Sequence, residues 1–233
     1  MKTQPFLARR ATLGAALALA LPNLALGQSQ LYDAPPPLGS AWLRFANALG
    51  QPVVVRPDFL PARQFGTVGV ARIGPYSVVE RVAGRRLGLV MEAAGRQGSI
   101  TLAVEAGSFT TVVLHASAAG DVGATAITDQ ADFNRARARL GFYNAAPGCA
   151  AAELRLAASG APIFQGLGPM ATQARPVTPV AASVVALCDG AATAPLELAS
   201  LNAGSSYSIW LMQPPGSEAF ALFTPDVLAR RPA

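Results

Sequence analysis

The chain reads as all-β: two tandem small β-sandwich modules, Ig-like or jelly-roll-like, joined by a short linker. Three observations predict this. Glycine and proline are frequent, 22 and 19 of 233 residues, which suits many short strands joined by tight turns. Apolar residues make up 52%, enough for packed cores and too many for a disordered chain. A strand-like motif from the first half also returns in the second.

Residues 1–27 stand apart. A basic start (Lys2, Arg9, Arg10) is followed by an apolar run, Ala11 to Leu21, and by Ala25-Leu26-Gly27. This is the pattern of a signal peptide cut before Gln28. The run is too short to cross a bilayer core of ~30 Å as a helix. Arg9-Arg10 followed by Leu13 fits a twin-arginine export signal; a Sec signal carrying two arginines fits as well. No later stretch is long and apolar enough to span, so the expected location is the periplasm. Three of the 18 basic residues and none of the 13 acidic ones lie in the signal. What remains is 15 against 13, nearly balanced, so the basic character of the whole chain gives no argument for nucleic acid.

Residues 28–40 hold Pro35-Pro36-Pro37 and are expected to be an extended lead-in. The first module is expected over 41–117. It begins with Ala41–Ala48, which alternates in part as a half-buried strand does. Further strands are predicted at Gln51–Val55, Val68–Ile73, Tyr76–Val82, Arg86–Ala93, Ser99–Glu105 and Thr110–Ala116, parted by Gly, Pro or Ser turns. Residues 118–137 read as a linker, because Ser117–Asn134 is small, polar and acidic (Asp121, Asp129, Asp132). The second module is expected over 138–227, followed by a polar tail at 228–233. Ala138–Ala145 repeats the pattern of Ala41–Ala48, and Leu201–Leu211 that of Val104–Leu114. Within each half the two motifs start 62–64 residues apart, the mark of an internal duplication.

Cys149 and Cys188 both lie in the exported part. An even pair in an oxidising compartment reads as a disulfide. Their spacing is not that of a Cys-x-x-Cys redox motif, and the one histidine is far away in sequence.

The block Leu31-Tyr32 through Pro37-x-Gly39-Ser40-Ala41-x-Leu43-Arg44-Phe45-x-Asn47-Ala48 resembles the N-terminal block of the AlgF family of alginate biosynthesis proteins. The restart at Arg139–Ala145 and the closing strand pair at Ala203-Gly204 resemble that family too. The likeness is most specific in the first block. It implies a periplasmic protein of two β-sandwich modules, without catalysis, required for O-acetylation of alginate or of a related polymer such as acetylated cellulose. It implies as partners a membrane-bound O-acyltransferase and periplasmic SGNH-type O-acetyltransferases, which the protein would bridge. The Cys149/Cys188 pair and the absence of lysine beyond Lys2 depart from the family.

The residues offer little for catalysis. A serine-type acyl transferase needs a nucleophile, a base and an orienting acid in one place. His115 closes the apolar run Val112-Val113-Leu114, and no Gly-x-Ser-x-Gly elbow is present. His115 is therefore read as a strand-end residue, with a catalytic base as the alternative. One histidine and scattered carboxylates do not form a metal cluster, so no cofactor is expected. Gly166-Leu167-Gly168 reads as a turn. Arg135, Arg137 and Arg139 alternate, and so would share one face of a strand. That face is either solvated or a patch for an anionic polysaccharide or acidic partner, with Arg85 and Arg86 a weaker case of the same kind. A carbohydrate-binding module is the alternative function. It would need Trp42 or Trp210 on an open face, whereas core packing is expected for both.

Overall fold

Glycine-punctuated strands dominate the computed structural model, which describes residues 36–130 and 136–230. The expected signal peptide, Leu31, Tyr32, Asp132 and Arg135 lie outside the described residues. Among the described residues there is no α-helix, and none is long and apolar enough to cross a membrane.

The first half carries β1 (Ala41–Asn47), β2 (Val53–Pro57), β3 (Arg63–Phe65), β4 (Ser77–Val79), β5 (Leu87–Ala93), β6 (Arg96–Leu102), β7 (Phe109–Ala116) and β8 (Val122–Asp129). They form two sheets, β4-β1-β7-β8 and β3-β2-β5-β6. The second half carries β9 (Ala138–Asn144), β10 (Ala152–Leu156), β11 (Pro162–Leu167), β12 (Ala171–Val177) and β13 (Ala182–Cys188). It is completed by β14 (Ala191–Ala192), β15 (Leu196–Leu198), β16 (Ser206–Met212) and β17 (Phe220–Pro225). Their sheets are β12-β9-β16-β17 and β11-β10-β13-β14, with β15 also on β13. The fold is an all-β multi-sandwich.

The duplication is visible in the register. β1 pairs parallel with β7, Trp42 opposite Phe109; β9 pairs parallel with β16, Arg139 opposite Ser206. Ala41 answers to Ala138 and Val104 to Leu201, an offset of 97 that the strand pairing keeps. Asn47 and Asn144 do the same work at the exits of β1 and β9. Each Oδ1 accepts a backbone N–H two residues on, from Leu49 and Ala146. Each Nδ2 donates to two carbonyls, of Gln51 and Gly66 or of Cys149 and Leu167. These local turns tie the end of the central strand to the facing sheet.

Three cores follow from the two-residue period of a strand. Leu43, Phe45, Val112 and Leu114 point into the first sandwich, against Val53, Val55, Leu89 and Met91. Leu140, Phe142, Ile209 and Leu211 point into the second, against Leu154, Val184 and Ala186. The alternate positions do not face water. Ala46, Val113, Tyr143, Trp210 and Met212 form a third core, where the sheets of β1 and β9 pack face to face. Strands buried on both faces read as near-continuous apolar runs, and β9 is buried at every position.

Several expectations change. Residues 118–137 are not simply a linker: β8 pairs with β7 residue for residue from Phe109–Asp129 to Ala116–Val122. Its small side chains suit a strand that packs closely, and Val122 and Ile127 enter two cores. Val68–Ile73 is no strand; Gly69–Arg72 make a 3-10 turn, permitted by Gly69 at φ +49°. The described end of the proline-rich lead-in is a turn, Ser40 N donating to Pro37 O with Gly39 at φ +82°. The C-terminal tail is also engaged. Leu228 bridges in parallel to Tyr76, and Ala229 N donates to Tyr76 O, so the second half straps onto the first.

Candidate functional site at the seam between the modules

Arg44 decides the character of the seam. It occupies an alternate position of β1, opposite Thr111 of β7, and so points into the third core rather than into its own sandwich. Its side chain is 1% exposed. A buried guanidinium needs acceptors for all of its donors. Nε donates to Thr111 Oγ1 at 2.9 Å and Nη1 to Asp226 Oδ1 at 2.6 Å. Nη2 donates to the Tyr143 hydroxyl at 2.8 Å and to Ser208 Oγ at 3.1 Å. The plane stacks on Tyr76 (4.2 Å) and Trp210 (4.8 Å), adding cation–π attraction in a dry setting.

The hydroxyls relay these bonds onward to two carboxylates. Thr111 donates to Asp129 Oδ2 at 2.9 Å and Tyr76 to the same oxygen at 2.8 Å. Tyr143 donates to Asp129 Oδ1. Ser208 donates to Asp226 Oδ1 at 2.6 Å, and Arg139 Nη1 lies 3.5 Å from Asp226 Oδ2. Two cations thus face two carboxylates.

The duplication explains this layout. Asp129 and Asp226 are counterparts at the 97 offset, as are Thr111 and Ser208. Arg44 answers to Gly141, so one arginine serves both halves. A Cβ at Gly141 would lie 3.2 Å from Arg139 Nη1 and 3.3 Å from Tyr143 Cε2. The glycine leaves room for both.

Burial and charge set the protonation. Burial alone would lower the Arg44 pKa, but Tyr143, Asp226, Tyr76 and Asp129 more than offset it and hold it above the ordinary value. Burial pushes the Asp129 carboxyl up, opposed by Arg44 and by the hydrogen bonds from Tyr143, Tyr76 and Thr111. Burial likewise raises Tyr143, and raises Tyr76 well above its ordinary value, with Arg44 pulling both down. A cleft of about 340 Å³ opens onto this cluster, walled by Tyr76, Phe109, Asp129, Arg139, Asp226 and Leu228.

Other residues singled out in the sequence fall as follows. Arg139 is no solvent-face residue: it is buried, and its Nε donates to Gln130 O at 2.7 Å. It is the second residue of β9, held against Asp226 at the wall of the cleft. Arg137 is exposed, at the mouth of the second sandwich. Arg85 and Arg86 are exposed, Arg85 lying 3.8 Å from Asp58. Ser40 is buried with its hydroxyl unpartnered. Asp129, expected in a solvated linker, is instead buried at the end of β8. His115 Nδ1 donates to Ala116 O at 2.9 Å, which leaves Nε2 to accept from Thr125 Oγ1 at 2.9 Å. Neither ring nitrogen is oriented by a carboxylate. Trp210 is wholly buried, its Nε1 donating to Thr224 Oγ1, whereas Trp42 is half-buried and stacks on Phe109 at 4.6 Å. Cys149 and Cys188 are disulfide-bonded, Cα atoms 5.4 Å apart. Asp189 lies beside them, and its carboxylate accepts from Ala150 and Ala151 N–H.

At the seam the hydroxyls of Thr111, Tyr143 and Ser208 accept from Arg44 and donate into carboxylates, while the Tyr76 hydroxyl donates to Asp129. Asp226 was not singled out in the sequence. The signal that finds it is the duplication itself, carried past Leu211 at the same offset. No protein-family model matches the chain, and no curated protein matches it.

Proposed function

We propose that the protein is a non-catalytic periplasmic adaptor required for the O-acetylation of an exported polysaccharide, alginate or a related polymer such as acetylated cellulose. The observation that carries this reading is the seam. Hydrogen bonds from Arg44 cross-link the two sandwiches there, with Thr111 and Ser208 bonding onward to carboxylates, which suits a body that must hold other proteins in register. The resemblance of residues 31–48 to the AlgF family supplies the pathway. In this reading the partners are SGNH-type O-acetyltransferases and a membrane-bound O-acyltransferase, and exposed Arg85, Arg86 and Arg137 are available to acidic partners or to an anionic polymer.

The test combines genetics with an enzyme assay. Deleting the gene in an acetylating host is expected to abolish acetyl groups on the polymer, read by proton NMR. The purified protein is expected to hydrolyse no acetyl ester above the buffer rate. Hydrolysis that disappears in His115→Ala would overturn the proposal, as would full acetylation in the deletion strain. A second reading, a module that grips the polymer itself, is favoured by one observation: the half-buried Trp42–Phe109 stack beside the cleft. Titration with polymer fragments tests it, and no binding at millimolar sugar removes it.

A further inference from the structure

The two sandwiches differ in the loops at one end. In the first, the loop between β2 and β3 is Asp58-Phe59-Leu60-Pro61-Ala62, and Phe59 and Leu60 pack down onto the core. The corresponding loop between β10 and β11 is Ala157-Ala158-Ser159-Gly160-Ala161. These residues are all exposed, and none packs on the second core. Small residues stand where the first module has Phe59 and Leu60, which there wall a cleft of about 530 Å³ together with Glu80 and Arg81.

A cavity of about 320 Å³ opens there, between the sheets of the second module. Its depth is apolar: Leu140, Val184, Leu198 and Leu201 are buried core residues that line it. At its rim stand two exposed arginines, Arg137 and Arg175. No acidic residue is among the described residues lining it. Arg175 Nη1 bonds to the Ile163 carbonyl at 3.2 Å, which fixes that side chain over the mouth. Val180, among the most exposed large apolar side chains, lines the same opening.

An apolar interior with a few placed polar groups is the usual make-up of a small-molecule site. Here the placed groups are both cations of the kind that pairs with carboxylates. We infer that the open mouth of the second sandwich binds a medium-chain alkyl carboxylate, its chain among the core leucines and its head between Arg137 and Arg175. The volume lies at the small end of the ~300–1,000 Å³ usual for ligand sites, which suits one short chain and excludes a two-tailed lipid. This inference is independent of the adaptor reading and stands or falls on binding alone.

Calorimetric titration of the whole protein with sodium octanoate tests it, with acetate and octanol as controls and phosphatidylglycerol vesicles in a sedimentation arm. Octanoate is expected to bind one to one, acetate not at all, and octanol more weakly. The double variant Arg137→Gln/Arg175→Gln should weaken octanoate by at least about tenfold, since charge-assisted bonds are the strong ones, and leave octanol unchanged. Ala182→Phe, which fills the mouth from a partly exposed strand position, should abolish both. No octanoate binding at millimolar concentration would overturn the inference. So would octanoate affinity unchanged in the arginine double variant, or sedimentation with vesicles in a protein that ignores octanoate.

Discussion

Replacing Arg44 by methionine tests the seam most directly. Methionine keeps much of the stem and is tolerated in irregular cores, so the change removes charge and hydrogen bonds more than volume. Four hydrogen-bonded partners lose their donor: Thr111, Asp226, Tyr143 and Ser208. Asp226 then keeps only Arg139 as a cationic neighbour, at 3.5 Å. Removing one member of a buried ion pair costs about 3–5 kcal/mol, because the other charge stays buried and uncompensated. With a urea dependence of about 2.5 kcal/mol per molar for a chain of this size, the midpoint should fall by about 1.2–2 M. Equilibrium urea unfolding at pH 7, followed by the fluorescence of the buried Trp210, gives that number. Asp226→Asn in the same chain should restore part of the loss, since a neutral pair leaves no stranded charge. A single-variant loss below about 1 kcal/mol, or strict additivity in the double variant, would refute the account of the seam as a coupled charge network.

Three further outcomes are expected. Asp129 has a folded pKa above its ordinary value of 3.8, so its contribution is fully present below that value and is lost as pH rises through the folded one. The urea midpoint of wild type minus that of Asp129→Asn should therefore be larger at pH 3 than at pH 7, and a larger difference at pH 7 would contradict the assignment. Tyr143 and Tyr76 are raised above 10.0, so stability should hold up to about pH 10 and fall above it as the unfolded chain ionises first; thermal scans from pH 9 to 11.5 should show a shallower alkaline decline in Tyr143→Phe. Reducing Cys149–Cys188, which closes 39 residues of sequence, should cost up to roughly 4 kcal/mol in the chain-entropy picture. Hydrogen exchange should place that loss in β10 and β13, with the first core unchanged.

The strands were legible where their inner faces were apolar and glycine or proline marked the turns. Ala41–Ala48, Arg86–Ala93 and Thr110–Ala116 fall on β1, β5 and β7 within a residue or two. Val68–Ile73 misled because Val68, Val70 and Ile73 are strand-forming residues, while Gly69 admits the backbone turn that replaces the strand. β8 was hidden by its composition: Gly123, Ala124, Thr125 and Ala126 carry almost no hydrophobic signal, and the strand is specified by its pairing with β7. The seam was half legible. Arg44 and Asn47 stood out within a motif, but a buried arginine on a strand face cannot be told from a solvent-facing one until the facing sheet is known. Arg139 misled for the same reason. Asp129 looked like one of several acids in a polar stretch, and only its counterpart Asp226 marks it as part of a repeated design.

Face-to-face docking of the two inner sheets leaves each module without a bare outer side at the seam. Stacked sheets sit about 10 Å apart, so four layers put the two outermost sheets about 30 Å from one another. Neither can tilt without shearing Trp210, Tyr143 and the Arg44 cluster out of contact. Separating the halves would not yield two free-standing sandwiches, because each would bare the apolar face that now packs at the seam.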